Sequence, residues 1–242
     1  VHLGMSKPQA GLLNSLTLFA SAIGGLGFGF LAVRIGRTRA LMGSILMYSI
    51  ASFACGLSQT LDQLIIFRVL QGVGAGLVTP VGAAMLYRAY SMEDRAKAAI
   101  GVLSVAVIAP AIGPMLGGIL VDTASWHWIF LINGPIGAVA IVLSFMWLEE
   151  TKHETPGRFD IAGFVLSAAS VAILLYTLSI GPEKGWFSAY TLTLATIGIA
   201  CLVSLIVIEL RIPNPILMLR LFQDRLFRII NISAALTYAG FF

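Results

Sequence analysis

The chain has 242 residues, 58% of them apolar and only 11% charged, with a formal net charge of +4. So small a charged fraction cannot coat a water-soluble globule of this size, which removes the soluble classes and leaves a membrane protein. The surplus positive charge is scattered between apolar stretches rather than gathered on one polar face, so nucleic acid is excluded as a partner.

Apolar runs of about 18 to 25 residues, long enough to cross a hydrocarbon core of about 30 Å as helices, recur along the chain. In order they are Ala10 to Val33, Ala40 to Leu57, Leu61 to Leu86, Ala98 to Val121, Trp128 to Leu148, Ile161 to Ile180 and Ala189 to Ile208, and another begins near Leu226. Backbone polar groups find no water in a bilayer, and the apolar pattern is too continuous for an alternating barrel strand, so these runs predict an all-α polytopic bundle. The first run reads as a span rather than a signal peptide, because it lacks a basic leader and a small-residue cleavage site and other spans follow it. The chain opens on Val1 and stops at Phe242 inside an apolar run, so the sequence reads as an incomplete piece of a longer protein.

A short basic turn, Gly29 to Arg39, joins the first two spans; Gly29 and Gly36 permit a tight reversal, and Arg34, Arg37 and Arg39 suit lipid phosphates or nearby acids. In the third span Arg68 lies about two turns from one end, at a depth where a charge costs about 2.5–3.5 kcal/mol and must face protein or a wet cavity. Helical spacing puts Gln71, Gly72, Ala75 and Thr79 on the same stripe, which suggests a permeation path; the plainer reading is a structural arginine bonding a neighbouring helix. Gly72-Val73-Gly74-Ala75-Gly76 is not a phosphate loop, since no Lys-Ser/Thr follows it and it lies inside a span.

The fourth span carries Pro110 and Pro114, whose rings free the carbonyls of Ala106 and Pro110, and a Gly113/Gly117 pair followed by Gly118. Small residues four apart let another backbone approach closely. In the fifth, Pro135 frees the Leu131 carbonyl, and the Asn133 amide is placed to rejoin the backbone. Trp126, Trp128 and Trp186 sit at span boundaries as interfacial rings.

Lys and Arg near span ends mark the cytoplasmic side. One set of alternate loops holds twelve (Arg34, Arg37, Arg39, Arg88, Arg95, Lys97, Lys152, Arg158, Arg211, Arg220, Arg225, Arg228) and the other only Lys7 and Lys184. This puts Val1 outside the cytoplasm, implies a missing helix upstream, and makes the chain a multi-pass protein of the inner (cytoplasmic) membrane. No catalytic or metal constellation is present: His2, His127 and His153 are scattered over separate loops, Cys55 and Cys201 read as packing residues, and Asp62, Asp122, Glu149, Glu150, Asp160 and Glu209 all lie near span ends. Asp160 is a good helix N-cap.

Taken together these segments resemble the major facilitator superfamily over essentially the whole chain. Gly29 to Arg39 is similar to its loop motif between helices two and three, and Leu64 to Gly72 to its helix-four motif, whose arginine the family associates with proton coupling. Gly113-Pro114-Met115-Leu116-Gly117-Gly118 is similar to the helix-five antiporter motif, and Trp126 to Gly137 resembles the start of helix six in the fourteen-span drug:proton antiporters. The resemblance implies a bundle of major facilitator type covering helices two to eight and part of nine. It divides the chain into an N-terminal bundle lacking its first helix (1–148), a cytoplasmic linker with an inserted helix pair (149–210), and a loop that starts the C-terminal bundle (211–242).

The function it implies is proton-coupled export of amphipathic organic compounds by alternating access, with the proton gradient as energy source and no cofactor. Two alternatives stand beside it: a metabolite:proton importer of the same fold, and a non-transporting multi-helix sensor. The cavity residues expected are Arg68, Gln71, Thr79 and Asn133, with less weight on Ser21 and Ser104. The expected partners are the bilayer, a small amphipathic substrate and protons; accessory export subunits are left open. Where the loop motif normally carries an acid, this chain has Val33, with Glu93 and Asp94 of the next cytoplasmic loop as candidates to replace it. No span holds a carboxylate at depth, so the proton carrier is expected on absent helix one or in the absent second half, tuned by Arg68.

Overall fold

A computed structural model describes residues 7–150, 159–213 and 215–241. The readings made on Val1, His2, Lys152, His153 and Arg158 lie outside these residues. The described chain is helical: α1 (Lys7–Ile35), α2 (Arg37–Gly56), α3 (Leu61–Ala89), α4 (Arg95–Thr123), α5 (Trp128–Leu131), α6 (Asn133–Trp147), α7 (Ile161–Lys184), α8 (Ala189–Glu209), a 3-10 turn (Leu219–Gln223) and α9 (Arg225–Phe241). Among the described residues seven segments are long and apolar enough to cross a membrane, with α5 and α6 together forming one of them, as the hydropathy pattern predicts. The chain is a multi-pass helical membrane protein. It divides into two compact units, residues 1–156 and 157–242.

In the first unit α3 is packed between α1 and α2, and α6 lies on α2. The α3 glycines allow this. A side-chain carbon at Gly72 would run into the Thr17 carbonyl, at Gly76 into the Ser21 carbonyl, and at Gly24 of α1 into the Val73 carbonyl, so α1 and α3 meet backbone to backbone. On another face of α3, Gly74 abuts the backbone of Tyr48 in α2. The Gly72-to-Gly76 run is therefore a double packing seam of the small-xxx-small kind. One apolar cluster (Ala32, Ala40, Leu41, Leu77, Val81) closes the end near the basic turn, and a second (Leu13, Cys55, Leu64) the opposite end.

The α4 helix runs unbroken through Pro110 and Pro114. A methyl group added at Gly113, Gly117 or Gly118 would meet nothing within 4 Å, so the small-residue face predicted to admit another backbone has no neighbour among the described residues. The fifth span is split at Ile132 into α5 and α6. There the Asn133 Nδ2 donates to the Ile129 carbonyl at 3.2 Å, rejoining the backbone as expected beside Pro135.

The second unit is an antiparallel-type pairing of consecutive helices α7 and α8, with the 3-10 turn against α9. Asp160 caps α7 by accepting from the Gly163 N–H at 2.8 Å, as its position predicts, and Ser188 caps α8 through Thr191.

Candidate functional site

The first unit places its intramembrane charge on α3. Arg68 is half-buried, and its NH1 donates to Gln71 Oε1 at 3.1 Å, three residues along the same helix. Its guanidinium carbon stands 4.9 Å from the centroid of the Phe130 ring, within the range of a cation–π contact. Gln71 is itself almost fully buried. Arg68 Nε is buried and unpaired, and none of the ion pairs among the described residues involves Arg68. A guanidinium carries five donors, so this one is only partly satisfied by the helices around it.

Phe130 links Arg68 to the helix break. Its carbonyl accepts from Ser52 Oγ at 2.9 Å, and Asn133 Nδ2 donates to the same Ser52 Oγ at 3.1 Å. The Trp126 ring stands edge-on to Phe130, with centroids 6.1 Å apart. Of the four predicted cavity residues, Arg68 and Gln71 touch directly and Asn133 joins them through Ser52 and Phe130. Thr79 lies exposed further along α3. Ser104 is exposed and bonds its own helix at Ile100, while Ser21 contributes its carbonyl to the α1–α3 seam.

Sequence reasoning missed Tyr48, Ser52 and Phe130. The first two left a signal: Tyr48, Ser52 and Cys55 follow at intervals of four and three, one face of α2 turned toward Arg68. Phe130 left none, because one aromatic in an apolar run looks like any other.

The basic turn is a second polar centre. Gly36 sits between α1 and α2 with φ of 103°, a left-handed conformation that suits glycine, and a side-chain carbon there would strike the Glu150 carboxylate. Glu150 Oε2 accepts from the Arg39 backbone N–H at 3.2 Å and lies 3.5 Å from Arg39 Nε, while Thr38 Oγ1 donates to the Glu149 carbonyl at 2.8 Å. Arg37 NH1 is buried without a hydrogen bond, and Arg34 leans over the Phe30 ring at 5.4 Å. A side-chain carbon at Gly29 would meet nothing within 4 Å. The acid beside the turn is thus Glu150, three residues beyond the end of α6. Asp94, a candidate to stand in for the acid replaced by Val33, pairs with Lys97 at 3.0 Å, and Glu93 is exposed. A hollow of about 640 Å³ opens at this end, lined by Leu41, Met85, Arg88, Tyr90, Trp147 and Glu149 among others.

A bundle of membrane-length helices with a half-buried arginine inside a span and polar helix-break contacts has the build of a membrane transporter. The family model of the Major Facilitator Superfamily matches residues 1–242, and the chain belongs to that family, a transporter family and not an enzyme family. It is 38% identical to the "Probable multidrug resistance protein EmrY" of Escherichia coli strain K12, over 87% of this chain and 41% of that protein. To the multidrug export protein EmrB of the same strain it is 35% identical, over 100% of this chain and 48% of that protein. The chain spans less than half the length of these curated relatives. A solved bacterial homolog of the human lysosomal transporter Spinster, inward-facing and unoccupied, shares 16% identity over 81% of this chain and 59% of that one, with a TM-score of 0.40.

Proposed function

We propose that the protein is a secondary active transporter that exports amphipathic organic compounds in exchange for protons by alternating access. The observation that carries the reading is Arg68: a permanently charged group held at membrane depth by Gln71 and Phe130, with no carboxylate paired to it among the described residues. A guanidinium does not release its proton at cellular pH, so Arg68 is not the carrier. Its work is electrostatic: it favours the ionised form of an acid that comes near and so sets when that acid lets its proton go. The acid belongs to sequence outside this chain. The relatives named for multidrug export support drug-like cargo, and a mainly apolar pathway suits amphipathic compounds.

On this reading Arg68, Gln71 and Asn133 face the pathway, with Thr79 further along it. Pro110, Gly113, Pro114, Gly117 and Gly118 give α4 the surface against which the second half of the transporter moves, and the turn with Gly29, Arg34, Gly36, Arg37 and Arg39 is the cytoplasmic gate. The protein resides in the inner membrane with the start of α1 on the external side, and the proton gradient is its only energy source. The experiment is transport of a fluorescent dye by the intact protein in liposomes under an imposed pH gradient. Dye movement that follows the gradient and stops with an uncoupler supports the proposal; movement indifferent to both refutes it.

A further inference from the structure

The second unit contains two carboxyl groups that the transport reading does not use. Asp160 precedes α7, and its Oδ1 accepts from the Gly163 N–H at 2.8 Å. Glu209 ends α8, is only 1% exposed, and its Oε2 accepts from the Leu217 N–H at 3.1 Å. Each group therefore spends one oxygen on a backbone donor. The other oxygens, Asp160 Oδ2 and Glu209 Oε1, are both buried and both without a partner. They converge on Gly163, where the space left by the missing side chain is bounded by these two atoms.

Two ionised carboxylates cannot face each other in this way without a third body between them, since like charges at contact repel strongly where water is excluded. Among the described residues no cation is in place to serve. Arg211 is exposed, Arg220 NH2 is engaged with the Leu210 carbonyl at 3.0 Å, and neither carboxylate takes part in an ion pair among the described residues. Ca²⁺ and Mg²⁺ take six or more oxygens and Zn²⁺ four ligands, and no third His, Cys, Asp or Glu joins the two among the described residues. A proton needs only the two oxygens already present.

We propose that Asp160 and Glu209 form a proton-binding site, with one proton held between Glu209 Oε1 and Asp160 Oδ2. The proton resides on Glu209. Glu209 sits at a helix C-terminus, where negative charge is disfavoured, while Asp160 keeps the hydrogen bond from the Gly163 N–H that caps α7. Glu209 Oε1–H donates to Asp160 Oδ2, and Glu209 Oε2 keeps the Leu217 N–H. The result is a clasp that ties the start of α7, the end of α8 and the chain at Leu217 together, closed while the proton is bound and opened by repulsion when it leaves as pH rises. Arg68 plays no part in it, so it stands or falls separately from proton-coupled transport.

The test is infrared spectroscopy of the intact protein in liposomes across pH, paired with thermal unfolding. The wild type is expected to show a protonated carboxylic acid band that disappears as pH rises and is missing in Glu209→Gln. That variant keeps an acceptor for Leu217 and offers an N–H to Asp160, so it is expected to hold the wild-type melting temperature and lose its alkaline decline. Glu209→Ala is expected to melt lower at every pH. Identical acid bands in wild type and Glu209→Gln overturn the proposal. So does a Glu209→Gln melting temperature that falls to that of Glu209→Ala, or a wild-type stability set by added Ca²⁺ or K⁺ instead of pH.

Discussion

Replacing Gly76 by Ala adds one carbon to α3, and the structure gives it nowhere to go. The carbon would run into the Ser21 carbonyl oxygen and the Gly25 amide nitrogen, with the Gly24 carbonyl carbon 3.0 Å away, all of them backbone atoms of α1. No rotamer change relieves the contact; α1 must move off α3 as a body. Overpacking of this kind costs up to about 3 kcal/mol, against which Ala returns about 1 kcal/mol of helix propensity, leaving a net loss of about 2 kcal/mol. That corresponds to about a 30-fold fall in the folded-to-unfolded ratio. The control is Gly82→Ala in the same helix, where the added carbon meets nothing within 4 Å and only the propensity gain of up to about 1 kcal/mol applies. Denaturant titration of the purified protein in detergent, followed by helical circular dichroism, reads both variants. Equal midpoints for Gly76→Ala and Gly82→Ala would refute the backbone seam between α1 and α3.

Three further outcomes follow from the polar contacts. Asn133→Leu leaves the Ile129 carbonyl without its amide and Ser52 with one bond fewer, and is expected to cost about 1–3 kcal/mol in the same titration. Phe130→Leu keeps apolar volume but removes the ring under Arg68, an expected loss of about 1 kcal/mol that Phe130→Tyr does not show. The Arg39 side chain is 64% exposed, so a double-mutant cycle of Arg39→Ala with Glu150→Gln is expected to give a coupling of only about 0–1 kcal/mol, smaller still in high salt.

The spans were legible because membrane insertion is a matter of length and hydropathy, which a single chain displays directly. Local backbone chemistry was legible too: Asp160 caps α7, and Asn133 repairs the backbone beside Pro135. Contacts made by distant parts of the chain were not. Glu150 reaches Arg39 across 111 residues, so the sequence neighbourhood of the turn pointed instead to Glu93 and Asp94. The glycines from Gly72 to Gly76 were recognised as belonging to a membrane helix, yet their role as a seam with Gly24 depends on the pairing of α1 with α3. Asp160 and Glu209 each looked like an ordinary carboxylate at a span end; only the folding of α8 back along α7 brings their free oxygens to Gly163.

The central claim is that the charge of Arg68 governs proton-coupled export, and uncoupler-sensitive dye efflux by the intact protein carrying Arg68→Ala tests it most directly. With matched expression and folding, the account predicts that the gradient-driven component of efflux is lost in Arg68→Ala and retained in part by Arg68→Lys, which preserves charge without the planar fork. Gradient-driven efflux at the wild-type rate in Arg68→Ala would contradict it.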